Sequence, residues 1–135
     1  MSVTYYSSNK VLDRVFGGTA FTPATNYYIG LSTTTINIDG TGATEPSGLG
    51  YARVSMPNDK TNWGVASNGA LLNLTAVTFP ESTGSWGTIT YVFMSDASSG
   101  GNIWWYDVLT PARTVASATT VLFAIGAISV QMNNT

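Results

Sequence analysis

Apolar positions along this chain fall into short runs broken by glycine, proline, serine and asparagine, with one exception near the start. From Asn9 to Phe16 the residues Val11, Leu12, Val15 and Phe16 recur at the three-and-four spacing that puts them on one face of a helix. Ser7 stands where an N-cap belongs, and Gly17-Gly18 supplies the stop. This is the one helix the pattern predicts, and its apolar face should cover an open end of a sheet or serve as a docking segment for a neighbour.

The remaining runs read as strands. Asn26 to Ser32 carries Tyr27, Tyr28, Ile29 and Leu31 after Pro23, and Tyr51 to Met56 alternates Tyr51, Arg53 and Ser55 against Ala52, Val54 and Met56. Asn68-Gly69 is a tight-turn signal before Ala70 to Leu74, and Val77 to Pro80 reads as a short edge strand. Thr88 to Ser95 and Asn102 to Leu109 flank the turn residues 96–101, which predicts an antiparallel hairpin. Thr110-Pro111-Ala112 then interrupts the chain before a strand at Arg113 to Val115, followed by Thr119 to Ala124 and Ile128 to Met132. Residues 33–50, with four glycines and Pro46, form a long connection without periodicity, whose ordering is expected to need a partner. Short strands spaced by turns, without alternating helices, predict a single all-β domain spanning 1–135: an antiparallel β-sandwich or barrel, jelly-roll-like, with residues 1–18 as an N-terminal arm plus short helix.

Composition sharpens this picture. Hydrophobic residues make up 44% of the chain and charged ones 9%, against roughly 25% charged in ordinary soluble domains, so the polar surface is mostly uncharged Thr, Ser, Asn and Gly. A surface so poor in charge favours a homo-oligomer or an assembly component. The net charge of −2 and the scattered Lys and Arg residues give no basis for holding nucleic acid. The first residues lack a basic stretch followed by an apolar run, and no 18 apolar residues occur in succession, so the reading is a soluble chain made in the cytoplasm, without a membrane span.

Candidate chemistry is sparse. Neither cysteine nor histidine is present, which removes disulfides, thiolate nucleophiles, the usual neutral-pH base and ordinary zinc ligand sets. A glycosidase-like carboxylate pair would need two facing acids, yet Asp39, Glu45, Asp59, Glu81 and Asp96 all fall in predicted turns. Asn37 to Gly42 resembles a calcium loop only superficially, because its glycine comes too early and later ligands are missing. Asp107 interrupts an apolar run and is expected to point outward with Trp105. Asn73-Leu74-Thr75 fits a glycosylation triplet but reads as a chance match. We therefore expect no enzyme activity, no metal and no cofactor. Strand alternation sends Trp104 and Trp105 to opposite faces, one to the core and one outward, where it can pack on another subunit or stack on a sugar ring.

The order of the segments Leu12 to Pro23, Tyr28 to Thr34, Glu45 to Gly48, Gly50 to Val54, Trp86 to Thr90 and Asp96 to Asn102 resembles a family of small phage proteins labelled tail-fibre or virion structural proteins. Trp104-Trp105-Tyr106 is richer in aromatics than that resemblance leads one to expect. The resemblance implies a component of the virion, similar to head-decoration or cement proteins, which would stabilise the head by binding the major capsid protein or other virion proteins. A tail-associated module binding a receptor or carbohydrate is the alternative. The contact residues expected under either reading are Tyr5 and Tyr6 of the N-terminal arm, Asp39 and Glu45 of the glycine-rich connection, Tyr51, and Trp104 or Trp105.

Overall fold

In the computed structural model, which describes residues 1–132, the strand-forming runs assemble into antiparallel sheets packed together, with one helix near the N-terminal end. In chain order the elements are β1 (Ser2–Val3), α1 (Tyr5–Gly17), β2 (Asn26–Ser32), β3 (Val54–Pro57), β4 (Ala70–Leu72), β5 (Val77–Thr78), β6 (Gly87–Ser95), β7 (Ile103–Val115), β8 (Leu122–Phe123) and β9 (Ser129–Gln131). Five strands form the main sheet in the order β1-β7-β6-β2-β3, while β4 pairs with β9 and β5 with β8. The expected all-β sandwich with an N-terminal helix is what the chain forms, the two short ribbons supplying the second layer.

Alternation along the central strands builds the core. Ile29 and Leu31 of β2 and Val92 and Met94 of β6 face the ribbons, where they meet Met56, Val77, Phe79, Trp86 and Val130. Gly30 and Phe93 point to the other face, and a Cβ at position 30 would lie 2.3 Å from Phe93 Cζ, so only glycine leaves room for that ring. Ile89 nevertheless shares the core with Val92, because the register shifts at Thr90: Ile89 pairs with Arg113 and Tyr91 with Val108. The four residues Leu109 to Ala112, with a cis Thr110–Pro111 bond, oppose that one residue. Thr110-Pro111-Ala112 thus bulges out of β7 without ending it, where two strands were expected.

The connection 33–50 covers the second face of the sheet, burying Ile36 against Phe93 and Ile103. Bonds within the chain tie it down: Thr33 N donates to Thr44 O (2.9 Å), Asn37 N to Thr41 O (2.8 Å) and Thr44 N to Ser32 Oγ (2.9 Å). Residues 51–53, expected in the same strand, lie outside β3, and Tyr51 and Arg53 make side-chain bonds to Glu45. Asn68 and Gly69 both take positive φ, as a tight hairpin turn before β4 requires.

The helix differs most from expectation. It begins at Tyr5, capped by Thr4 and not Ser7, so Tyr5 and Tyr6 belong to the first turn and not to an extended arm. Ser7 is its one buried residue, whereas Leu12, Val15 and Phe16 are 51%, 66% and 83% exposed. Every residue from Leu12 to Gly17 is exposed, polar and apolar alike, so the last turns of the helix extend beyond the sheet they were expected to cover, while Val11 is half-buried. The helix is docked by polar bonds from its first turn, described next.

Candidate functional site

The site is organised by a β-bulge in β7. Ser95 pairs with Ile103 and Met94 with Trp105, leaving Trp104 as the extra residue between them. The bulge breaks the two-residue alternation, so Trp104 and Trp105 lie on the same side, stacked with centroids 6.1 Å apart and planes at 22°. The expectation of opposite faces fails for this reason. Trp104 is buried and Trp105 half-buried, its Nε1 donating to Gln131 O at 3.0 Å.

The carbonyls of Ile103 and Trp104 anchor α1. Thr4 N donates to Trp104 O at 3.0 Å, Thr4 Oγ1 to Ile103 O at 2.7 Å and Ser7 Oγ to Trp104 O at 2.8 Å. These bonds fix the helix by its Thr4–Ser7 side and bring Tyr6 edge-on to Trp104, at 5.2 Å between centroids. Asp96 closes the hairpin turn by accepting from Asn102 N and Nδ2 and holds the Trp104 indole through Nε1 at 3.1 Å. Burial alone would raise the Asp96 pKa, but these donors hold it below the ordinary aspartate value.

Around the tryptophan pair opens a cleft of about 380 Å³, with Phe21, Tyr27, Trp63, Trp104 and Trp105 among its walls. Its polar lining comes from Asn58, Asp59 and Lys60, in the turn after β3. Every hydrogen bond Asp59 accepts on its side chain among the described residues goes to Oδ1, from Thr61 N, Asn62 N and Asn62 Nδ2. The Asn62 and Thr61 bonds hold its pKa below the usual value, so the carboxylate is charged near neutrality. Lys60 Nζ lies 2.8 Å from Gly64 O. Trp63 is 5% exposed, and its Nε1 is the buried side-chain polar atom left without a hydrogen-bond partner among the described residues. Leaving such a donor unsatisfied costs about 1–3 kcal/mol. A neighbouring cleft of about 440 Å³ shares Phe21 and Trp104 and is lined by Tyr6, Lys10 and Asp96.

The other expected contact residues lie elsewhere. Tyr5 is 55% exposed on α1, and Asp39 sits at a loop tip with Oδ1 bound by Thr41 N and Oγ1. Glu45 and Tyr51 are held inside a network away from the cleft. Arg53 Nε and Nη2 donate to the two Glu45 oxygens at 2.9 and 2.8 Å, and Tyr51 Oη donates to Glu45 Oε1 at 2.7 Å while accepting from Leu31 N. Burial, then the bond to Glu45, pushes the Tyr51 hydroxyl pKa far up. Asp107 is exposed, 3.6 Å from the Met1 ammonium, and Asn73 is fully buried with its amide bonded to Thr75 O, Ala124 O and Ile128 N. No three acids come together among the described residues.

Sequence reading therefore found the tryptophan pair and missed the rest of the cleft. Trp63 stands 41 positions before Trp104, and nothing local signals that the two line one cleft. The aromatic content was the available hint.

The chain matches one family model, described as Podophage GP4 fiber I protein gp80, over residues 2–131. No curated protein matches it. The match spans nearly the whole chain, so the protein belongs to that family and is a structural component of a phage virion.

Proposed function

We propose that this member of the podophage fiber family is a non-enzymatic structural subunit of a fibre, fastened to a neighbouring virion subunit through the outward face of α1. The observation that carries this reading is the exposure of Leu12, Val15 and Phe16 on a helix whose first turn is fixed to the scaffold by polar bonds. An exposed Phe on a rigid helix has little to do in an isolated chain, and burying it against a partner contributes at roughly 25 cal/mol per Å². The low charge of the chain suits such a neutral packing face.

Head decoration needs the same kind of contact, and the family description weighs toward the fibre. Immunogold electron microscopy of intact virions tests the placement: label on the tail apparatus supports it, and label spread over the shell refutes it in favour of a cement role. The attachment face is tested with the double variant Val15→Ser, Phe16→Ser. Exposed substitutions of this kind should change stability by less than about 0.5 kcal/mol each, while incorporation into particles is lost. Normal incorporation of a folded double variant would refute the attachment.

A further inference from the structure

We propose that the cleft between Trp63 and the Trp104–Trp105 pair is a binding site for a neutral pyranose unit of a saccharide. A pyranose presents an apolar C–H face and a ring of hydroxyls, so the site that recognises it combines aromatic walls with a few donors and acceptors at fixed positions. This cleft has both. Half-buried Phe21, Tyr27 and Trp105 offer aromatic surface beside the buried Trp104, and its volume of about 380 Å³ suits a small ligand.

The polar groups are matched to hydroxyls. Asp59 Oδ2 takes no bond from the chain among the described residues, Asn58 Oδ1 takes none, and Lys60 Nζ has donors beyond the one given to Gly64 O. The adjacent carboxylate and ammonium balance one another, which favours a neutral ligand over an anionic one. Trp63, 5% exposed, completes the aromatic lining of the cleft. The site does not depend on where in the virion the chain sits.

The test is an ¹⁵N correlation spectrum of the labelled full chain, titrated with methyl pyranosides of glucose, galactose, mannose, rhamnose and N-acetylglucosamine. Concentrations on the order of 10 mM are enough for a Kd near 1 mM. At least one sugar should shift the indole signals of Trp63 and Trp105 in a saturable way. In Asp59→Asn, which keeps Oδ1 for the turn, and in Lys60→Ala, the affinity should fall about tenfold with the rest of the spectrum unchanged. The proposal is overturned if no pyranoside moves either indole signal, or if the shifts are the same in both variants as in the parent chain.

Discussion

Replacing Glu45 by Gln tests the network that holds the long connection onto the scaffold. The Arg53 side chain is 7% exposed, and its guanidinium meets both Glu45 oxygens while Nη1 donates to Ala97 O at 2.7 Å and Gly100 O at 2.9 Å. It also lies 5.0 Å over the Phe93 ring. Gln retains an acceptor for one of these bonds but leaves a buried cation without its counter-ion. Breaking a fully buried pair costs about 3–5 kcal/mol. The Glu45 side chain is 27% exposed, so solvent screening reduces the expected loss to about 2 kcal/mol. For a domain of this size that corresponds to a fall in Tm of roughly 6–10 °C.

The loss should depend on pH in a defined direction. Burial acts to raise the Glu45 pKa, yet bonds from Arg53 and Tyr51 outweigh it and hold the group below its ordinary value of 4.5. A carboxylate whose folded pKa is depressed contributes its stability above 4.5 and loses it as pH falls through the folded value. Calorimetry at pH 7 should therefore separate the two proteins, and scans at successively lower pH should bring them together as the parent loses the same charge. A variant melting within about 1 °C of the parent at pH 7 would refute the reasoning, since it corresponds to well under 1 kcal/mol. So would a deficit that stays constant down to pH 2.

Two further substitutions probe the sheet. Trp104→Ala removes a buried ring that packs on Tyr6, Tyr27 and Trp105 and leaves Asp96 short of a donor, and should cost about 3–5 kcal/mol in urea denaturation. A loss under about 1 kcal/mol would mean that the bulge does not depend on that packing. Gly30→Ala forces a Cβ to within 2.3 Å of Phe93 Cζ and 2.8 Å of Cε1, so it should destabilise by roughly 1–3 kcal/mol, part of which Phe93→Leu in the same chain recovers. Equal stability of Gly30→Ala and the parent by the same titration would show that the ring has room the structure denies it.

How much of this protein is legible in its sequence follows from how local each signal is. β2 lies at the predicted residues Asn26–Ser32, and the hairpin of β6 and β7 forms around the turn at 96–101, because alternation and turn chemistry act between near neighbours. The absence of histidine and cysteine and the family resemblance are likewise properties of the string. Three features depended on the assembled structure. The helix leaves Leu12, Val15 and Phe16 in solvent because it is anchored at its first turn, where Thr4 and Ser7 bond carbonyls of β7 at the bulge. Trp104 and Trp105 share a side because Ser95 and Met94 pair with Ile103 and Trp105, a register that no alternation rule applied to β7 alone contains. Trp63 joins them in lining the cleft although it stands 41 positions from Trp104. Periodicity fixes which way a side chain points only while the ladder is regular, and the cleft was made where the ladder is interrupted.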